Sequence, residues 1–187
     1  MNNKEYEIFF KKLENSEIVY SSDFDIYKYF YACEHKTLDI VKLLYEKISK
    51  HYDNLTNIQS IAFTYACDSN NLDIMMYLFN NYAINFDCIY PTYFVLLKPC
   101  RLGYFDVIQF VINNFSNLDY KPYRKELIDI CCDYGYYQIL YYLKSRYLDF
   151  DENIDHKNYP IKSRDEAFVE WFRAGCPIRT NMKSAKK

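Results

Sequence analysis

The residues best suited to chemistry in this sequence are seven cysteines and three histidines. Cys33 and His35 stand two positions apart, and Cys131 and Cys132 are adjacent. A structural zinc site needs four converging ligands, usually from two close pairs, and the sequence has neither C-x-x-C nor H-x-x-x-H. We therefore expect no metal site, and we expect the thiols to fill the core as small apolar groups.

A cysteine nucleophile would need a histidine base beside the thiol, and the candidates are His35, His51 and His156. Cys67, Cys100 and Cys132 have no histidine nearby in the sequence, and we expect His35 to be an exposed turn residue. Only the fold can show which side chains meet. The adjacent acids Asp151 and Glu152 lie in a polar stretch, where we expect them to be solvated. With three glycines, the chain has no glycine-rich phosphate loop. We expect no enzyme, no cofactor and no small-molecule substrate, while a thiol- or metal-dependent enzyme stays open as an alternative.

Charge and hydropathy narrow the class of partner and the location. The chain has 23 basic and 25 acidic residues, so it lacks the basic excess that a nucleic-acid surface needs. The first residues show no signal peptide, and no stretch is long and apolar enough to cross a membrane. We therefore expect a cytoplasmic protein that binds neither nucleic acid nor membrane. Three glycines and five prolines in 187 residues favour helices over strands with tight turns.

The sequence repeats itself at an interval near 33 residues. The anchors of the repeat stand 34, 33 and 32 residues apart, and they are Cys33, Cys67, Cys100 and Cys132. Five, seven and eleven residues after each anchor stands a bulky apolar side chain, which is the spacing of an amphipathic helix of about three turns. A second helix-compatible stretch precedes each anchor, so each repeat predicts a helix, a turn and another helix.

A helix-ending turn is predicted three residues after each anchor. The residues at this position are Lys36, Asn70, Gly103 and Gly135. Glycine and asparagine tolerate a left-handed backbone, which such a turn requires. Lys36 is the exception, and we expect it either to carry strain or to belong to a different turn.

The four copies read ACEHKTLDIVKLL, ACDSNNLDIMMYL, PCRLGYFDVIQFV and CCDYGYYQILYYL. They resemble the ankyrin repeat over about residues 23–150, and EAFVEWFRAGCPI (166–178) resembles a degraded fifth copy. The family's TPLH start of the first helix is absent from every copy, and Pro99 should kink or end its helix. The divergence and the Asn, Ile, Tyr and Lys bias are similar to those of ankyrin-like proteins of giant DNA viruses of amoebae. A tetratricopeptide array is the rival helical repeat, but the only tryptophan, Trp171, lies outside the clear copies.

The resemblance implies an all-α solenoid of four to five helix–turn–helix units behind an N-terminal capping helix. The capping helix is expected within residues 1–22, with Tyr6, Phe9, Phe10 and Leu13 on its apolar face. Four divergent repeats are expected in 23–150. A polar connection and the degraded repeat are expected in 151–180, and a basic disordered tail in 181–187.

The resemblance also implies a non-catalytic scaffold, monomeric, that binds a protein through its concave face and turn tips. Were the chain viral, the partner would be a host protein in the host cytoplasm; a structural component of the virion is the alternative. The implied partner-binding residues are turn and first-helix positions that vary among the copies while the apolar positions do not. They are Ile26, Tyr31, Glu34, His35, Tyr65, Asp68, Ser69, Tyr93, Lys98, Arg101, Leu102, Lys125, Asp133 and Tyr134.

Overall fold

The computed structural model describes residues 3–14, 25–52, 55–85, 93–115, 120–147 and 149–178, with the backbone alone at 3, 4, 13, 14, 93 and 94. This described part is all-α, as predicted, and contains no β-strand. It divides into two compact units, Met1–Pro91 and Thr92–Lys187. None of the described helices combines the length and the hydropathy needed to span a bilayer.

Five helices lie in the described part of the first unit. They are α1 (Asn3–Glu14), α2 (Ile26–His35), α3 (Leu38–Ile48), α4 (Leu55–Asp68) and α5 (Leu72–Asn81). Helix α2 packs against both α3 and α4, while α5 packs against α3 and α4. Helices α2 and α3 form one helix–turn–helix hairpin, and α4 and α5 form the next. Each of these four helices contacts the other helix of its own hairpin and the equivalent helix of the neighbouring one, so the two hairpins bury each other's apolar faces.

The second unit repeats this arrangement. A π-helical turn, Tyr93–Leu97, runs into α6 (Lys98–Arg101), and a 3₁₀ turn, Lys121–Tyr123, runs into α8 (Arg124–Tyr134). The other helices are α7 (Phe105–Asn114), α9 (Tyr137–Arg146) and α10 (Glu166–Arg173). Helix α6 contacts α7 and α8, and α9 contacts α7 and α8.

The repeated positions have the predicted roles. All four anchors are fully buried, and so are the apolar residues eleven positions later, Leu44, Leu78, Val111 and Leu143. The second helix of each hairpin begins five residues after its anchor, at Leu38, Leu72, Phe105 and Tyr137. An acid follows directly in three of the copies, where it meets the positive end of the helix dipole.

The turn predicted after each first helix is confirmed in three copies and differs in one. Asn70, Gly103 and Gly135 have φ of 59°, 73° and 73°, in the left-handed region. Lys36 is extended instead, at φ −121° and ψ 178°. Its ammonium group lies 5.1 Å from the centre of the Phe10 ring, so this lysine escapes the strain by using a different turn and by contacting α1.

Helix α1 lies within the predicted capping segment. Phe9 is 7% exposed and Phe10 is fully buried, as their apolar character predicts. The rings of Tyr6 and Phe10 stack on Tyr31 of α2, with centroids 4.9 and 5.3 Å apart. The side chain of Leu13 lies outside the described residues.

The π-helical turn explains how Pro99 is accommodated. Pro99 lacks the amide hydrogen that a regular helix would use, and the helix before it changes from π to α geometry at Lys98. The irregularity therefore falls where the sequence predicts it, late in a first helix.

Residues 149–165 form a connection without helices, and α10 follows as the single described helix of the degraded copy. Helix α10 buries Phe168 and Phe172. Asp165 caps its N-terminus, since the Asp165 carboxylate accepts a hydrogen bond from the Phe168 backbone amide at 3.1 Å. The predicted tail 181–187 lies outside the described residues.

Candidate protein-interaction surface

The left-handed turns share one hydrogen-bond pattern. The amide groups of Asn71, Tyr104 and Tyr136 donate to the carbonyl oxygens five residues earlier, at 2.9, 2.9 and 3.0 Å. This bond closes the end of the first helix and leaves few backbone donors and acceptors unpaired. The turn backbone is thus fixed, while the side chains at 68–69, 101–102 and 133–134 are free to differ.

Side chains link each turn to the preceding one within its unit. In the first unit the side-chain amide of Asn71 donates to the Lys36 carbonyl at 3.4 Å. In the second unit the Tyr136 hydroxyl donates to the Arg101 carbonyl at the same distance of 3.4 Å. The Ser163 amide then donates to the Cys132 carbonyl at 3.0 Å, so the connection continues the row of turns.

The turns of the second unit expose an apolar and aromatic surface, the turn patch, made of Leu102, Tyr134 and Tyr136. Leu102 is 46% exposed and Tyr134 is 61% exposed. The Tyr134 ring stacks on Tyr136 with centroids 5.4 Å apart and an interplanar angle of 17°. A methyl group at Gly103 would lie 3.0 Å from the Tyr136 ring, so the glycine allows the ring to cross the turn. The neighbouring cleft of about 210 Å³ is lined by Phe105, Tyr136 and Tyr137, among others.

The charged residues predicted to face a partner in the second unit are already paired within the chain. The pairs are Arg101 with Glu126, Lys125 with Asp129 at 2.8 Å, and Asp133 with Lys162 at 2.6 Å. Lys98 is half-buried. Exposed ion pairs contribute about 0–1 kcal/mol, so a partner could replace them at little cost. Each pair joins one positive and one negative side chain, so the three pairs together add no net charge to this surface.

Two predicted tyrosines of the first unit serve the packing of the chain itself. Tyr31 is covered by the rings of Tyr6 and Phe10 from α1. Tyr65 stacks on Phe30 of the neighbouring first helix, with centroids 5.3 Å apart and an interplanar angle of 11°. Each ring is half-buried, because a tyrosine on this face reaches the next element of the same chain.

The other predicted residues of the first unit have smaller roles. The exposed His35 ring lies 3.4 Å from the Glu34 carboxylate. The Ser69 hydroxyl lies 3.2 Å from the Tyr65 and Ala66 carbonyls, which identifies it as part of the helix end. Ile26 and Asp68 are half-buried. The side chain of Tyr93 lies outside the described residues.

Sequence comparison of the copies overlooked Tyr136, which joins two turns. It stands four residues after its anchor, where the other copies have Thr37, Asn71 and Tyr104. The residue type at this position varies among the copies, as it does at the two turn positions that were predicted to bind a partner. The same criterion would therefore have selected Tyr136. Tyr27, at 63% the most exposed of the large apolar side chains described, was also overlooked, although it directly follows the predicted residue Ile26.

A separate cluster in the second unit brings together Lys144, Asp151, His156 and Cys176. The Lys144 ammonium lies 2.6 Å from Asp151 Oδ2, and His156 Nε2 lies 2.9 Å from the same oxygen. Cys176 Sγ lies 3.8 Å from His156 Nδ1. The Asp151 side chain is 10% exposed rather than solvated as expected, because the connection folds back over α9 and the end of α10.

The cluster has the order of a thiol nucleophile, with the imidazole between thiol and carboxylate. However, Cys176 is fully buried. Burial raises the pKa of its thiol to about 12, although the Lys144 charge opposes this rise. A thiol without access and without thiolate character at neutral pH is a poor nucleophile. The same three residue types are good metal ligands.

Comparison of the chain with protein-family models, curated proteins and solved structures finds no match. The ankyrin resemblance therefore depends on the repeated positions themselves. The function has to be inferred from the exposed surfaces and the side-chain clusters of the chain.

Proposed function

We propose that this chain is a non-catalytic protein-interaction module of ankyrin-like helical repeats, and that its turn patch binds a protein partner. The observation that supports this most directly is the contrast in the second unit. The positions seven and eleven residues after the anchors stay apolar in every copy and are buried in this unit, whereas the variable turn positions expose Leu102 and Tyr134.

The turn patch has the properties of an interface centre. Tyrosine is among the residue types that most often dominate binding energy. The stacked rings of Tyr134 and Tyr136 are already held against each other, so binding costs less side-chain entropy than ordering two free rings would. The left-handed glycine turns hold the backbone beneath them.

The surroundings of the patch indicate the kind of partner. The patch is apolar, and the paired charges around it carry both signs. A base-stacking surface would need a positive groove beside its rings. We therefore propose a protein segment with a protruding apolar or aromatic side chain, and the resemblance to viral ankyrin-like proteins favours a host protein.

Site-specific photo-crosslinking tests this proposal. A photoreactive phenylalanine analogue replaces Leu102 in one variant and Leu43 of α3 in the control, which is 38% exposed in the first unit. After irradiation in cells that naturally contain the protein, we expect a discrete protein adduct from position 102 that position 43 does not give. Identical adducts from both positions, or none from position 102, would contradict the proposal.

A further inference from the structure

The cluster around Asp151 is assembled from three separate parts of the second unit. Lys144 is on α9, Asp151 and His156 belong to the connection, and Cys176 follows α10. The side chains of Lys144, Asp151 and His156 are 17%, 10% and 16% exposed, and Cys176 is fully buried. These groups are therefore largely shielded from water, unlike the exposed ion pairs elsewhere in the second unit.

Three members of the cluster offer the ligand atoms that zinc uses in proteins. A thiolate, an imidazole nitrogen and a carboxylate oxygen are its common protein ligands. One such atom from each of Asp151, His156 and Cys176 lies within 4.8 Å of the other two. Tetrahedral zinc places neighbouring ligand atoms about 3.5 Å apart. The His156–Asp151 contact of 2.9 Å would therefore have to lengthen, while the thiol would have to move closer to the other two ligands.

The backbone at Cys176 supports a role for its thiol. Gly175 and Cys176 are both left-handed, with φ of 82° and 50°. A residue with a β-carbon seldom adopts this conformation, and outliers of this kind concentrate at functional sites. Here the turn places Sγ beside the His156 ring, which in turn packs against Phe172 with centroids 4.8 Å apart.

Lys144 supplies the positive charge beside Asp151. Its ammonium donates to Asp151 at 2.6 Å and to the Gly175 carbonyl at 2.7 Å. A bound dication would compete with this ammonium for the same carboxylate oxygen. The lysine would keep its contact with the carbonyl and withdraw from the acid.

We propose that Asp151, His156 and Cys176 form a Zn²⁺ site with a fourth position open to water. Binding breaks the S–H bond of Cys176 and forms a sulfur–zinc bond, and the released proton goes to the solvent. The charge of the ion makes this deprotonation favourable despite the burial that holds the free thiol protonated. The site would fasten the connection to the segment that follows α10.

Metal titration of the full chain, freed of any affinity tag and stripped with a chelator, tests the site. With Co²⁺ as the probe we expect one ion per chain, tetrahedral ligand-field bands and a thiolate-to-cobalt charge-transfer band. Zn²⁺ should displace the Co²⁺, and binding of Zn²⁺ to the metal-free chain should release one proton per ion in a weakly buffered solution. Weak binding without the charge-transfer band would overturn the proposal.

Matched variants separate this site from adventitious binding. Cys176→Ala and His156→Asn should each weaken Zn²⁺ binding at least tenfold, whereas Cys33→Ala and His51→Asn should not. Lys144→Met removes the competing cation and should tighten binding several-fold. An unchanged affinity in His156→Asn, or a weaker one in Lys144→Met with its helix content retained by circular dichroism, would contradict the assignment.

Discussion

Replacing Lys36 by glycine should change the stability of the fold in opposite directions, depending on whether residue 36 is left-handed or extended. Were residue 36 left-handed like its equivalents, Lys36→Gly would relieve strain and stabilise the fold by about 1 kcal/mol. In the structure Lys36 is extended, so glycine relieves nothing there. It adds freedom to the unfolded chain, at a cost of about 0.4–1 kcal/mol. It also removes the cation–π contact with Phe10, which contributes about 0.5–1 kcal/mol.

We therefore expect Lys36→Gly to lower the free energy of unfolding by about 1–2 kcal/mol, or to lower the Tm by about 3–6 °C. Urea and thermal unfolding followed by circular dichroism measure this change. Asn70→Gly is the matched control, because Asn70 is left-handed at φ 59°, and it should change stability by less than about 0.5 kcal/mol. Lys36→Met isolates the ring contact and should give about half of the loss. A higher Tm for Lys36→Gly would refute the extended turn.

Three further predictions concern the second unit and the thiols. Gly135→Ala should destabilise by about 1 kcal/mol more than Gly175→Ala in urea unfolding, because both residues are left-handed but only the new methyl at 135 would collide with Ser163 Oγ. Equal losses would contradict the close contact. The six described cysteines are all buried, so alkylation read by mass spectrometry should be slow and similar at each of them; one fast thiol beside a histidine would favour an enzyme. The Tyr120 hydroxyl donates to Asp149 at 2.8 Å and lowers the pKa of that carboxyl below its ordinary value of 3.8. The stability from this bond is present above pH 3.8 and is lost as pH falls through the lowered pKa, so the deficit of Tyr120→Phe in pH-dependent unfolding should shrink in acid. A constant deficit would contradict the assignment.

The repeated helices were predictable because their causes are local. Three local features can each be recognised within about fifteen residues of sequence. They are apolar residues at helical spacing, an acid in the first turn, and a glycine or asparagine at the helix end. The second helices accordingly begin five residues after their anchors in all four copies. The burial of the apolar faces against neighbouring helices was also predictable, since neither helix of a hairpin can cover its own apolar face.

The roles of individual surface residues were less predictable, because they depend on elements distant in the chain. Tyr31 fits the family's partner-facing position, yet α1 covers it, and only the fold shows where α1 lies. Arg101 was predicted as a binding residue, yet it pairs with Glu126 of the neighbouring hairpin. Leu102 and Tyr134 were predicted as binding residues and are exposed, which is what a binding role needs.

The cluster around Asp151 could not be found from spacing at all. Its residues are scattered from Lys144 to Cys176, and the connection between them has neither periodicity nor a metal-binding motif. Two features of the sequence were present but ambiguous. His156 stands five residues after Asp151, and Cys176 directly follows Gly175. Only the return of the connection onto α9 brings these side chains together.

The affinity of the double variant Leu102→Ala/Tyr134→Ala tests the proposed binding surface most directly. The measurement is an isothermal titration of the protein captured at position 102 against the wild type, against this variant and against Tyr27→Ala of the first unit. Both changed side chains are exposed, so the fold should be retained. Truncating two interface anchors should cost about 2–4 kcal/mol, a loss of affinity of about 30-fold or more, while Tyr27→Ala should bind like the wild type. An unchanged affinity in the double variant, or an equal loss in Tyr27→Ala, would contradict binding through the turn patch.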